Sequence, residues 1–128
     1  MSSGLLLFAH GARDADWSRP FEQVARELRA LRPDVTVRLA YLEFMSPTMG
    51  DAGAELAAAG CSRIDIVPLF LGAGGHVRKD VPQLFAQLQA AHPGVRFTLH
   101  RAVGEAPSVI SAMAAAAATL IDDHSAFP

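Results

Sequence analysis

The sequence predicts a small doubly wound α/β domain with four parallel strands and helices on both faces of the sheet. Short apolar runs alternate with segments whose apolar residues recur at helical spacing, and this alternation repeats four times with a period of ~30 residues. The length of 128 residues suits one domain, 1–128, whose core spans about residues 4–122.

The first half of the chain supplies two strand-helix units. Residues 4–9, GLLLFA, form a continuous apolar run that is typical of a strand buried on both faces. A helix is predicted over 18–31, before Pro33. The β-branched segment 35–42 predicts the second strand, after which Ser46 is expected to cap a helix with Pro47 at its first position.

The second half repeats the pattern. Gly60 ends the second helix, and RIDIVPLFL at 63–71 is the third strand. The segment 77–91 places its apolar residues on one helical face and stops before Pro93. The segment 95–100 is the fourth strand, and 107–121 is an alanine-rich final helix.

Composition excludes several classes of partner. The net charge of −2 gives no reason to expect nucleic acid or an anionic membrane, and the apolar runs are too short to span a bilayer. The amino terminus lacks a basic segment of the secretory kind, so we expect a cytoplasmic protein. Arginine supplies ten of the eleven basic residues, which favours an acidic small ligand or reflects genomic base composition.

Three candidate site residues follow successive strands. Ligands of an open parallel sheet bind beyond the carboxyl ends of its strands, which selects His10, Glu43 and His76, the last in the loop after the third strand. If the first strand is central, neighbours ~4.8 Å apart bring these residues to one edge of the sheet. Two imidazoles and a carboxylate suit a divalent metal. Singly, each histidine could instead be a loop or cap residue, and Glu43 could begin the second helix.

Three segments together resemble a known family. FAHGARD, YLEFMSPTM and IDIVPLFLGAGGHVRKDVP, with their spacing, are similar to the small single-domain sirohydrochlorin chelatases over about residues 5–121. The resemblance implies a flavodoxin-like fold, with His10 and His76 handling a metal and Glu43 assisting. It also implies ATP-independent insertion of a divalent metal, Co²⁺ first, into sirohydrochlorin for corrinoid (cobalamin) synthesis. Fe²⁺ or Ni²⁺ insertion, a non-catalytic metal or tetrapyrrole carrier, and an interaction domain without a small ligand remain alternatives. Ala12 stands where the family commonly has serine.

The glycine-rich segment before His76 is interpreted as a ligand loop. We expect Gly72, Gly74 and Gly75 to allow positive φ and close approach to a flat ligand, with His76 pointing inward. Arg13 and Arg78 are candidate contacts to an acidic tetrapyrrole, together with Gly74 and Gly75. Because the chain has no internal repeat, a cleft that encloses a macrocycle would have to come from two copies of it, so we expect a homodimer.

Overall fold

The structure is a computed structural model that describes residues 2–72 and 74–123, apart from the side chain of His76. The strands are β1 (Ser2–Ala9), β2 (Val35–Tyr41), β3 (Cys61–Pro68) and β4 (Arg96–Leu99). The helices are α1 (Arg19–Leu31), α2 (Met49–Ala58), α3 (Gly75–Ala91) and α4 (Pro107–Leu120), and 3-10 turns form over Ala15–Ser18 and Val103–Glu105.

The four strands form one parallel sheet with the order β2-β1-β3-β4. Phe8 of β1 is in register with Ala40 of β2 and with Pro68 of β3. The predicted class is therefore confirmed, and the first strand lies between the second and third, as one shared edge for the candidate residues requires. Because all strands run the same way, the segments that follow them meet at one edge of the sheet, which we call the carboxyl rim.

The two faces of the sheet carry cores of different size. On the face covered by α2 and α3, Leu6 and Phe8 of β1 pack with Ile64 and Ile66 of β3, all at most 1% exposed. The cluster on the α1 face has fewer buried members, among them Leu7 and Ala25. Burying each such large apolar side chain stabilises the fold by roughly 1.5–3 kcal/mol, so the α2/α3 face dominates stability.

Two predicted helix starts were wrong. The second helix begins at Met49, since Thr48 rather than Ser46 caps it: the Thr48 hydroxyl accepts a hydrogen bond from the Asp51 N–H at 3.2 Å. Pro47 therefore precedes the helix, after a cis peptide bond. The third helix begins two residues earlier than predicted, so His76 lies in the first turn of α3 instead of a loop.

Helices cover both faces of the sheet as predicted, but α4 contributes no buried residue to either core. This helix contacts the 3-10 turn before it, and none of its 14 residues, all of them described, is buried. One face of the sheet is thus covered by α2 and α3, but the other by α1 alone. Within the described ranges no helix is long and apolar enough to cross a membrane.

Candidate functional site at the carboxyl rim

Backbone pairing brings His10 and Glu43 together. Beyond the end of β1 and β2, the Leu42 N–H donates to the Ala9 carbonyl at 2.9 Å and the Glu43 N–H donates to the His10 carbonyl at 3.1 Å. The pairing therefore continues past the strand ends, by one residue after β1 and by two after β2. His10 is half-buried and the Glu43 side chain is exposed, so the pair lies at the boundary between the core and solvent.

Gly11 makes this pairing sterically feasible. Its φ is +89°, and a Cβ at this position would lie 1.9 Å from the Glu43 carbonyl oxygen. Only glycine combines the positive φ with the absence of a Cβ. Gly11, which follows His10, therefore allows the loop after β1 to pack against the loop after β2.

Arg13 lies on the same side of His10 as the β2 loop. Its guanidinium carbon is 4.9 Å from the centroid of the Phe44 ring, within the range of a cation–π contact. Phe44 itself has φ of +66° and is 58% exposed. A non-glycine residue at positive φ is uncommon, and here it presents an exposed ring with a cation above it at the rim.

On the other side of His10 lies Phe70, which sequence reasoning did not single out. The two ring centroids are 5.0 Å apart with an interplanar angle of 50°. Phe70 is 5% exposed, and its carbonyl accepts the Gly104 N–H at 2.9 Å. One face of the imidazole is thereby packed against a fixed ring. The signal available in the sequence was an aromatic residue near the carboxyl end of the predicted third strand, 63–71. That strand was predicted too long, since β3 ends at Pro68 and Phe70 lies beyond it.

A cavity of about 500 Å³ opens beside Phe70, at the carboxyl ends of β3 and β4. Its walls combine apolar side chains with charged ones, and the lining includes Val77, Val81, Leu99, Arg78, Arg101 and Glu105. The volume lies in the range usual for small-molecule sites, which are mostly apolar with a few polar groups. The predicted residue Arg78 is therefore part of a real concavity.

The glycine-rich segment does not have the predicted conformation. Among the described residues, the glycines with positive φ are Gly11 and Gly60, whereas Gly74 caps α3 at φ −74° and ψ 171°. A Cβ added at Gly72, Gly74 or Gly75 would meet no atom within 4 Å. The expectation of positive φ was wrong. These glycines instead leave open space at the amino end of α3.

The metal site itself stays a prediction. Within the described side chains, no group of three His, Cys, Asp or Glu residues is placed to hold a metal ion. The third predicted member, His76, has a described backbone but a side chain that lies outside the described part of the structure. The structure thus brings His10 and Glu43 together, while the full set of His10, Glu43 and His76 is untested.

Two further polar residues near this rim make contacts of their own. His100, which follows β4, has its Nε2 2.7 Å from Asp65 Oδ1 on β3. Tyr41 ends β2, and burial together with the nearby Glu22 carboxylate raises the pKa of its phenol, an effect reduced by a hydrogen bond with Ser18. These contacts give both side chains structural partners.

Comparison with known proteins identifies the family of this chain. Residues 4–120 match the family model named CbiX. The chain belongs to the CbiX family. A sirohydrochlorin cobaltochelatase of Sulfurisphaera tokodaii is 30% identical over 101 residues, 79% of each chain. One from Methanosarcina barkeri is 31% identical over 83 residues, and the match spans 64% of that relative, just under two thirds of its length.

Solved structures show the same architecture for this CbiX-family chain. A cobalamin biosynthesis CbiX protein from Marinobacter aquaeolei has a TM-score of 0.82 and 31% identity, with 94% of this chain and 98% of that chain covered. The sirohydrochlorin chelatase SirB from Bacillus subtilis, solved with cobalt, has a TM-score of 0.81 at 21% identity. This chain spans 51% of SirB, so that likeness concerns the fold of one half.

Proposed function

We propose that the protein inserts Co²⁺ into sirohydrochlorin in the synthesis of corrinoids, without ATP and in the cytoplasm. Membership of the CbiX family and the names of the cobaltochelatase relatives support the substrate pair. The observation that carries the proposal is the position of His10 after an inner strand, where its half-buried imidazole packs against the Phe70 ring and its backbone carbonyl accepts the Glu43 N–H.

The dimensions of the rim suit a macrocycle. Four strands ~4.8 Å apart span roughly 14 Å, and His10 follows one of the two inner strands. Arg13 lies toward the β2 side, and Arg78 and Arg101 line the cavity toward β4. Guanidinium groups pair well with carboxylates, so cations on both sides of His10 can hold the acidic substituents of one tetrapyrrole.

The reaction exchanges two protons for one metal ion. Two pyrrole N–H bonds of sirohydrochlorin break, four ring nitrogens bind Co²⁺, and two protons leave. Neutral His10 and His76 can each offer a nitrogen lone pair, to the incoming ion or to a departing proton, and the exposed Glu43 carboxylate can accept a proton or steady the ion. Phe70 restricts the orientation of the His10 ring during this exchange.

We propose that two copies form the working cleft. A ligand site normally buries most of its ligand, whereas the cavity here holds about 500 Å³ and opens at the edge of a four-stranded sheet. A macrocycle ~10–15 Å across needs a second wall. A homodimer supplies it by facing one rim with a second rim.

The proposal is tested by anaerobic absorption spectroscopy of sirohydrochlorin with Co²⁺, Fe²⁺ and Ni²⁺, singly and in competition. His10→Ala and His76→Ala are each expected to slow insertion at least ~100-fold, as for loss of one member of a catalytic group. His92→Ala is the matched control, because His92 follows the carboxyl end of α3, away from the rim, and should keep the full rate.

Several outcomes would contradict the proposal. Full rates in both His10→Ala and His76→Ala would remove the metal-handling role. If Fe²⁺ or Ni²⁺ is inserted in preference to Co²⁺ in the competition, that metal and not Co²⁺ would be the substrate. Binding of sirohydrochlorin and metal without release of metallated product, when substrate is in large excess over protein, would identify a carrier instead of an enzyme.

A further inference from the structure

Two large apolar side chains at the carboxyl rim are exposed to solvent. Phe44, in the loop after β2, is 58% exposed, and Leu71, in the loop after β3, is 69% exposed. Single exposed apolar residues are common on protein surfaces and by themselves indicate nothing. These two differ from such residues, because both lie at the candidate site and the backbone of each is constrained.

The backbone of Phe44 is held in an unfavourable conformation. Its φ of +66° lies in the left-handed region, which costs free energy for residues other than glycine. Phe44 follows Glu43, whose N–H donates to the His10 carbonyl at 3.1 Å, and its ring centroid lies 4.9 Å from the Arg13 guanidinium carbon. Strained conformations of this kind persist where the surrounding structure imposes them, and they cluster at ligand sites. The loop therefore keeps an aromatic ring exposed next to the pairing of Glu43 with His10.

The backbone of Leu71 is held by its close approach to Gly104. A Cβ at Gly104 would lie 2.0 Å from the Leu71 carbonyl oxygen, so only glycine fits there without moving the loop. The Gly104 N–H also donates to the Phe70 carbonyl at 2.9 Å, and the Phe70 ring packs against that of His10. The loop after β3 is thus fixed on its buried side, while the Leu71 side chain is exposed.

The sheet order places these two side chains in the loops on either side of His10. His10 follows β1, which lies between β2 and β3. Neighbouring strands are ~4.8 Å apart, so the loops after β2 and β3 begin roughly 10 Å from each other, with the end of β1 midway. That separation is comparable to the width of a tetrapyrrole macrocycle. An apolar group on each side of a metal-handling residue matches a flat ligand whose metal enters at its centre.

We infer that Phe44 and Leu71 bind the flat conjugated face of the tetrapyrrole and thereby set its centre at His10. The inference rests on the proposed function for the identity of the ligand. Arg13 favours this ligand, because a guanidinium on an exposed aromatic ring suits a molecule that combines an aromatic surface with carboxylates. Apolar surface with a few polar groups is also what small-molecule sites normally provide.

The first test measures binding of metal-free sirohydrochlorin, without oxygen, by quenching of the fluorescence of Trp17, the single tryptophan of the chain. Phe44→Ala and Phe44→Gly should each weaken binding ~10-fold and Leu71→Ala several-fold, since apolar and aromatic contacts are lost. Phe44→Tyr keeps the ring and should bind within ~2-fold of the natural protein. Leu31→Ala is the matched control: Leu31 is 76% exposed, but it ends α1 before the amino end of β2, away from the rim.

The second test separates the Phe44 ring from its backbone. Phe44→Ala and Phe44→Gly both remove the ring, but only glycine accepts the positive φ without cost. The glycine variant should therefore have a Tm roughly 4 °C above that of the alanine variant, although the two should bind sirohydrochlorin equally weakly. In turnover both should raise KM for sirohydrochlorin ~10-fold with little change in kcat, as for loss of a contact made equally before and during metal insertion.

Failure of this inference and failure of the proposed function give different results. If the natural protein does not bind metal-free sirohydrochlorin, both are wrong. If it binds, but Phe44→Ala and Leu71→Ala bind equally well, only the inference is wrong. Natural affinity in Phe44→Gly together with weak binding in Phe44→Ala would also overturn it, since binding would then follow stability and not the ring. Sedimentation in which Phe44→Ala has half the mass of the natural protein would overturn it as well, because the ring would then serve a contact between copies.

Discussion

The His10–Glu43 junction depends on Gly11, and Gly60 provides a matched comparison. Both glycines have strongly positive φ, +89° and +95°. A Cβ at Gly60 would meet no atom within 4 Å, whereas a Cβ at Gly11 would lie 1.9 Å from the Glu43 carbonyl oxygen. Replacing each with alanine therefore adds the same conformational cost, but only Gly11→Ala adds a collision between backbone segments.

The expected losses of stability follow from the conformational cost and the collision. An L-residue in the left-handed region costs about 1–2 kcal/mol, partly offset by ~0.4–1 kcal/mol from the stiffer unfolded chain. Gly60→Ala should therefore lower the free energy of unfolding by about 1 kcal/mol. At Gly11 the two loops must separate by roughly 1.5 Å to reach ordinary contact at 3.4 Å, and overpacking of this kind costs a further ~1–3 kcal/mol. The expected loss for Gly11→Ala is about 2–4 kcal/mol.

Thermal unfolding and insertion kinetics measure the two consequences. For a domain of this size about 1 kcal/mol corresponds to roughly 4 °C in Tm, so Tm should fall by ~4 °C for Gly60→Ala and by ~8–16 °C for Gly11→Ala. Below both transitions, Gly60→Ala should retain the full rate of metal insertion. Gly11→Ala should be slowed ~100-fold, because a displacement near 1 Å at a reacting group has an effect of that order.

Equal losses of stability in the two variants would refute the steric argument. A Gly11→Ala variant that is destabilised as expected but keeps the full rate would refute the link between the junction and the chemistry. In that case the position of His10 relative to Glu43 would matter for folding alone.

Three further predictions test other parts of the rim. Glu43→Gln should slow insertion only ~10-fold, since a carboxylate that assists is less essential than a primary ligand, and a loss as large as in the histidine variants would make Glu43 a full ligand. Arg78→Ala should raise KM for sirohydrochlorin several-fold without changing kcat, while Arg96→Ala, at the other end of β4, should change neither. The pKa of Tyr41 is raised by burial and by Glu22, so folding favours the protonated phenol: its contribution is complete below pH ~10 and is lost as pH rises through the folded pKa. Denaturation measured against pH should show this alkaline loss in the natural protein and a smaller one in Tyr41→Phe.

The sheet was predictable because its strands are buried on both faces. Buried parallel strands appear as continuous apolar runs, and GLLLFA and the β-branched start of 35–42 meet that description. The position of His10 and Glu43 at one rim then follows from topology alone. What could not be predicted is how closely the two loops approach. The absence of room for a Cβ at Gly11, which would lie 1.9 Å from the Glu43 carbonyl oxygen, depends on where the two loops meet in space.

Helix boundaries were less predictable because local signals competed. Ser46-Pro47 and Thr48 both offer a capping hydroxyl, and the choice of Thr48 depends on the path of the β2 loop, where Phe44 has positive φ. The start of α3 was missed because glycine weakens helix propensity. The earlier start of α3 affects the candidate site, because it places His76 in a helix turn instead of a loop.

The two proposed metal-handling residues His10 and Glu43 differ in how far they are constrained, and this difference would suit a metal that is a substrate. His10 is half-buried, follows an inner strand and packs against Phe70, so its imidazole loses little entropy when it meets an ion. Glu43 has a fixed backbone but an exposed side chain, which can approach and leave. A resident structural metal would favour a closed set of rigid ligands. In the proposed reaction the ion must pass on to four ring nitrogens, which needs a site that releases it, and one constrained imidazole with one exposed carboxylate would meet that requirement.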